Sequence, residues 1–230
     1  MAKRRSRTVD FALYVALKAV SCALLMMPTD WAAGLARWLS RLVYRLDRRH
    51  REVAFENLRR AFPGRYSEKQ LVCLIGGVYE HFSLMLLEML LIPRKLHANC
   101  LARFLDVPQG PEYLRAMTSG RPIVLVTAHY GNWEAAAYIL GLFKFRGHLV
   151  GRPLDNSYVD AEVRRYRERP GHTVLSKDGD VRAMRDVLKN NGLLVTLADQ
   201  DAGPRGLFVD FFGRPASTHK AVASDRKSVV

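Results

Sequence analysis

A chain of 230 residues, 49% of them hydrophobic, is long enough to bury one substantial core, so one domain plus an anchor is the expectation. Its 36 Lys and Arg against 22 Asp and Glu give a net charge of +14, which calls for an anionic partner: nucleic acid, a phosphorylated lipid, an anionic membrane face or an acidic carrier protein. No zinc-finger spacing, RNP-like aromatic strand or basic heptad region supports nucleic acid, and the sequence predicts none. The three cysteines (Cys22, Cys73, Cys100) form no C-x-x-C and no disulfide framework, and they read as small buried hydrophobes in a reducing compartment. The seven histidines show no ligand spacing, so no metal is expected.

The chain begins with a basic run, Lys3-Arg4-Arg5-Ser6-Arg7, followed by a mostly apolar segment from Phe11 to Met27 that Lys18 interrupts. A membrane span normally needs about 20 residues. The segment is therefore either a short transmembrane anchor or an interfacial helix with Lys18 snorkelling. A signal peptide is the rival reading, but no clear small-x-small cleavage site follows, which favours an uncleaved anchor.

From Trp31 to Leu46 aromatic residues and arginines mix (Trp38, Tyr44, Arg37, Arg41, Arg45), as in a helix at a headgroup boundary or one packed on the rest of the protein. Arg48 to Phe62 reads as a basic helix stopped by Pro63-Gly64. Ser67 and Gln70 form a capping box that opens a long helix to about Leu91. Its stripe of Leu71, Leu74, Ile75, Val78, Phe82, Met85, Leu86 and Met89 is read as core, with Pro93 ending it. Phe104 to Ser119 reads as a connecting strand or turn and a short helix.

The chain is organised around Pro122 to Ala137, P-I-V-L-V-T-A-H-Y-G-N-W-E-A-A-A. Ile123 to Thr127 is a buried strand by composition, Gly131 and Asn132 supply a turn, and helix formers begin at Trp133. A histidine at that junction sits in the crevice above the carboxyl edge of an α/β sheet. His129 and Glu134 are five apart, so the carboxylate is expected to fold back on one imidazole nitrogen and leave the other as a general base. The bland alternative is a strand-end histidine with Glu134 as a favourable first-turn anion.

Beyond this point strands and helices alternate. Leu149 to Gly151, Thr173 to Leu175 and Leu193 to Ala198 read as strands, with helices at Ser157 to Arg169 and Val181 to Lys189. Alternation of this kind implies a largely parallel, three-layer α/β sheet.

The block A-H-Y-G-N-W-E resembles the H-x4-[D/E] motif of the lysophospholipid acyltransferase superfamily, in the form used by bacterial lipid A biosynthesis (late) acyltransferases. Three further stretches agree in order: Val150 to Asn156, Leu175 to Gly179, and Asp199 to Gly203 running into Phe211-Phe212-Gly213-Arg214-Pro215. The resemblance spans about Arg51 to Ala223 and implies a three-layer glycerolipid-acyltransferase-like sheet flanked by helices, with an N-terminal membrane helix. It implies an anchor at 1–30, a helical membrane-proximal region at 31–100 and an α/β acyltransferase core at 101–223.

By that resemblance, a fatty acyl group passes from an acyl-carrier-protein thioester to a hydroxyl of a lipid A precursor, or of another glycolipid such as mannosylated phosphatidylinositol. The setting would be the cytoplasmic side of the cell inner membrane, with no cofactor. His129 is the implied base and Glu134 its orienting carboxylate. No G-x-S-x-G elbow or motif cysteine is present, which argues for direct transfer rather than an acyl-enzyme.

The backbone at Gly131-Asn132 and the Arg152 guanidinium are candidate oxyanion donors; Arg152 alternatively pairs with Asp155. Asp199 and Asp201 organise Arg152 or an acceptor hydroxyl, or else cap turns. Arg205 and Arg214 are candidates for lipid phosphates, and Phe208, Phe211 and Phe212 for an acyl slot or membrane wedge. The opposing class is a non-catalytic, basic membrane-binding protein. The family pattern continues past Ala223, so the fold is expected to be C-terminally truncated, with residues 224–230 a non-native tail whose last six derive from adapter DNA.

Overall fold

A computed structural model describes residues 6–103, 105–107, 110–177 and 180–219; the expected tail at 224–230 and the Asp178-Gly179 end of the third motif lie outside them. The chain divides into two compact units, one of Met1–Ser21 with Ile92–Asp199 and the other of Cys22–Leu91 with Gln200–Val230.

The helical unit begins within α1 (Arg7–Met26) and holds α2 (Thr29–Leu46), α3 (Arg48–Ala61) and most of α4 (Glu68–Lys95). The small side chains of Ala32 and Ala36 on α2 admit Leu87 of α4, and Leu24, Leu84 and Leu91 close around them. The capping box forms as expected. The Ser67 N–H donates to Gln70 Oε1 at 2.8 Å, and the Gln70 N–H donates back to Ser67 Oγ at 3.4 Å. Pro93 does not stop α4, which continues two residues past it to Lys95. A proline there removes one N–H and so leaves only the Met89 carbonyl unpaired, a modest loss near a helix end.

In this same unit β5 (Leu207–Phe211) and β6 (Arg214–Thr218) make an antiparallel hairpin. Its turn residues Phe212 and Gly213 both have positive φ, the twist a two-residue hairpin favours. The Asp210 carboxylate accepts from the Gly213 N–H at 2.9 Å and closes the turn.

The α/β unit carries β1 (Ile123–Thr127), β2 (Gly147–Gly151), β3 (Thr173–Ser176) and β4 (Leu193–Leu197), all parallel, in the order β1-β4-β2-β3. Side chains alternate across β4. Leu193 and Val195 pack with Leu149 beneath α5 (Gly110–Met117) and α6 (Trp133–Leu142), while Leu194 faces α8 (Val181–Lys189) with Leu175 and Leu188. The fourth helix, α7 (Ser157–Glu168), joins α6 through the Tyr138 and Tyr166 rings, 5.3 Å apart. Helices therefore cover both faces of the sheet, as the alternating pattern predicts.

A buried histidine outside the site ties this unit together. His172 Nδ1 accepts the Gly147 N–H at 3.0 Å, so Nε2 carries the proton and donates it to the Ala137 carbonyl at 2.7 Å. The α6 backbone comes close enough for this because position 141 is glycine; a Cβ there would sit 2.9 Å from His172 Nε2. His172→Ala is expected to lower stability by about 1–3 kcal/mol, the cost of leaving a buried donor and acceptor unpaired. Urea denaturation of the variant checks this, and a midpoint unchanged from wild type would contradict it.

Candidate active site

The register of the sheet decides which groups meet. Thr127 of β1 lies opposite Leu197 of β4, and the Ala198 N–H extends the ladder to the Thr127 carbonyl at 3.0 Å. His129 and Asp199 each follow two residues on, so they emerge side by side at the carboxyl edge. There the Asp199 carboxylate accepts two bonds from one residue. Its Oδ2 takes the His129 backbone N–H at 2.8 Å, and its Oδ1 lies 2.8 Å from the imidazole Nδ1.

Burial pushes the Asp199 carboxyl up, but the hydrogen bonds from the His129 ring and backbone outweigh it and hold the group below its ordinary range. Asp199 is thus an ionised acceptor, and Nδ1 carries the shared proton. Nε2 has no hydrogen-bond partner among the described residues, which leaves its lone pair available. The Trp133 ring meets the imidazole edge-on at 4.8 Å and limits its rotation.

This arrangement corrects the expected pairing of His129 with Glu134. Glu134 is buried and forms a two-pronged ion pair with Arg167 of α7, at 2.5 and 3.0 Å. The reason is geometric: Glu134 lies in the first turn of α6, facing α7, while His129 precedes the turn made at Gly131. Gly131 has φ +60, a left-handed conformation that glycine adopts without strain. Desolvation pulls the Arg167 pKa down, but the Glu134 carboxylate more than offsets it and raises the net value.

The other candidates divide between the two units. Asn132 caps α6, its side-chain oxygen accepting the Ala135 N–H at 2.9 Å, so the helix N-terminus stands beside His129. Arg152 is exposed and lies 3.6 Å from Asp155, the surface ion pair weighed against a phosphate or oxyanion role. Asp201 closes a turn by accepting the Gly203 N–H at 3.0 Å, and Arg214 is exposed at the start of β6; both belong to the helical unit, as does the Arg205 backbone. Phe208, Phe211 and Phe212 are exposed on the hairpin, where Phe212 also meets Phe62 edge-on at 5.1 Å.

With this geometry in hand, the comparison with known proteins is decisive at family level. The profile of the bacterial lipid A biosynthesis acyltransferases matches residues 2–225. The chain belongs to that family. It is also 34% identical over 139 residues to a phosphatidylinositol mannoside acyltransferase of Mycobacterium tuberculosis, covering 56% of this chain and 42% of that protein. A second such acyltransferase, from another strain, is 35% identical over 126 residues, with 50% and 38% covered. The chain thus matches about two fifths of the length of these curated relatives.

Among the described residues two helices, Arg7–Met26 and Glu68–Lys95, have the length and composition to cross a membrane. The second is a packed helix of its own unit, where Arg37 of α2 reaches Glu80 at 3.1 Å and Tyr79 donates to Asp47 at 3.1 Å.

Arg167 was absent from the sequence-derived site because it lies in the charged run R-R-Y-R-E-R, indistinguishable from a solvated face. Its signal was indirect: a buried carboxylate needs a cationic partner. The sequence names Asp199 toward Arg152, an acceptor hydroxyl or a turn cap, and not toward His129, because the register that aligns β1 with β4 is a tertiary fact.

Proposed function

We propose that the protein is a membrane-associated acyltransferase that moves a fatty acyl chain from an acyl-carrier-protein thioester to a hydroxyl of a glycolipid, a lipid A precursor or a mannosylated phosphatidylinositol. The observation that carries this reading is the His129–Asp199 pair at the sheet edge, with Nε2 of the imidazole unpartnered among the described residues. His129 Nε2 takes the acceptor proton as the hydroxyl oxygen attacks the thioester carbonyl. Asp199 holds the Nδ1 proton and offsets the charge of the imidazolium. The tetrahedral intermediate collapses by breaking the C–S bond, and the leaving thiolate recovers the proton from Nε2.

In this reading the positive end of the α6 dipole, beside His129, offsets the developing oxyanion. In this scheme Glu134 is a positioning residue, acting through Arg167 to fix α6, and Arg152 remains a candidate phosphate ligand. Phe208, Phe211 and Phe212 form a membrane wedge, and Arg205 and Arg214 are candidate ligands for lipid phosphates. The setting is the inner membrane, with the α/β unit on its cytoplasmic side.

Two acceptors fit. Family membership supports a lipid A precursor, and the mycobacterial relatives support mannosylated phosphatidylinositol. Both are phosphorylated lipids bearing sugar hydroxyls, and both suit the basic chain. Membranes containing the protein, given acyl-carrier-protein thioester and each acceptor in turn, are expected to raise the mass of one of them by one acyl chain. Turnover of mannosylated phosphatidylinositol alone would assign the acceptor to the second class. Turnover of neither would contradict the proposal.

A further inference from the structure

The N-terminal helix carries a polar stripe that its apolar composition hides. Arg7, Asp10, Tyr14 and Lys18 recur at three- and four-residue spacing and so share one face. That face is fastened to α7 and its N-cap Asn156. Arg7 Nε donates to the Tyr158 hydroxyl at 3.2 Å, and Asn156 Nδ2 donates to the Asp10 carbonyl at 2.9 Å. The Tyr14 hydroxyl donates to Glu162 Oε1 at 3.0 Å, and Lys18 Nζ donates to Glu162 Oε2 at 3.1 Å. The rings of Phe11, Tyr14 and Tyr158 cluster between these contacts, with Phe11 and Tyr14 each within 5.8 Å of Tyr158. Burial raises the Glu162 carboxyl, but its bonds to Lys18 and Tyr14 outweigh that and lower it.

Away from these contacts the surface of α1 is apolar and open. Val9, Leu13, Leu17 and Val20 recur at four, four and three residues and are each about half exposed, as are Phe11 and Val15. A stripe of that length on a chain of a lipid-acyltransferase family needs an apolar cover. The flanking groups are cationic: Lys18 is half exposed, and Arg165, 2.6 Å from Glu162, is largely exposed. Their sign matches an anionic lipid surface.

We infer that α1 lies in the plane of the membrane surface, strapped to the α/β unit by its Tyr14 and Lys18 contacts with Glu162, and does not cross the bilayer. Lengths decide between the two. The strapped stretch from Arg7 to Lys18 is about 16 Å of helix, and Lys18 to Met26 adds about 12 Å. The hydrocarbon core is about 30 Å thick. A crossing helix would have to use the strapped stretch, carrying Tyr158, Glu162 and Arg165 into hydrocarbon, where such charges are costly. Lying flat, the helix keeps every contact and buries only its apolar stripe.

The inference rests on the membrane association proposed above, and sealed vesicles separate the two. A tag placed before Met1 and the α/β unit are expected on the same side, cut together by protease or protected together. Opposite fates would overturn the in-plane placement and leave the acyltransferase reading standing. Recovery of the chain free of membranes would overturn both the placement and the membrane part of that reading.

The strap has its own readout. In vesicle-bound protein, Glu162→Lys is expected to speed amide exchange over residues 10–18 at least about tenfold, because the Lys18 and Tyr14 bonds to Glu162 are both lost. Lys18→Glu combined with Glu162→Lys is expected to restore the slow exchange. Exchange indifferent to both variants would contradict the strap.

Discussion

Asp199→Asn is expected to lower acyl transfer by about 10²–10⁴-fold, the share a positioned general base contributes. The amide keeps the size of the carboxylate but not its charge, and its NH₂ group no longer demands the proton on Nδ1. The imidazole is then free to present Nε2–H toward the acceptor, which disables it as a base. The carboxylate is exposed enough, about 39% at the side chain, that its loss is not expected to unfold the sheet edge.

The pH dependence follows from the sign of the Asp199 shift. A carboxyl whose folded pKa is depressed contributes stability above its unfolded value and loses that contribution as pH falls through the folded one. The His129–Asp199 pair is therefore expected to hold from neutrality down past about pH 4, the ordinary aspartate value. Chemical denaturation across that range, comparing wild type with Asp199→Asn, checks it. A gap between them that opened as the pH fell would contradict the assignment.

Arg167→Met is expected to cost about 3 kcal/mol of folding stability, because it strands the Glu134 carboxylate, which is only 8% exposed. Glu134→Gln is expected to cost less, since the guanidinium it leaves behind is 27% exposed and reaches water. The double replacement Glu134→Leu with Arg167→Met is expected to recover much of the loss, as two apolar groups replace a desolvated pair. Denaturation midpoints measure all three. If the single variants kept full stability but lost transfer, Glu134 would belong to the chemistry rather than to the α6–α7 junction.

The sequence made the parallel sheet legible because its signals were local: apolar runs at Ile123 to Thr127 and Leu193 to Ala198, amphipathic helices between them, and the Ser67–Gln70 box. It made His129 legible through the strand-turn-helix junction and the family motif. It misdirected Glu134 because five residues of separation look like proximity, whereas the turn at Gly131 sends the two side chains to different neighbours. The partner His129 does have is 70 residues away, brought in by strand register. The hairpin after Asp201 was missed for a related reason. Its strand carries Leu207, Phe208, Val209 and Phe211 exposed on both faces, so no inside-outside alternation announced it.

The most direct test of the account is the mass of the glycolipid formed by membranes carrying wild type or His129→Ala, supplied with acyl-carrier-protein thioester. Wild type is expected to add one acyl chain, and His129→Ala, folded to the same extent by its denaturation midpoint, is expected to add none above background. Undiminished product from His129→Ala would contradict the account at its centre.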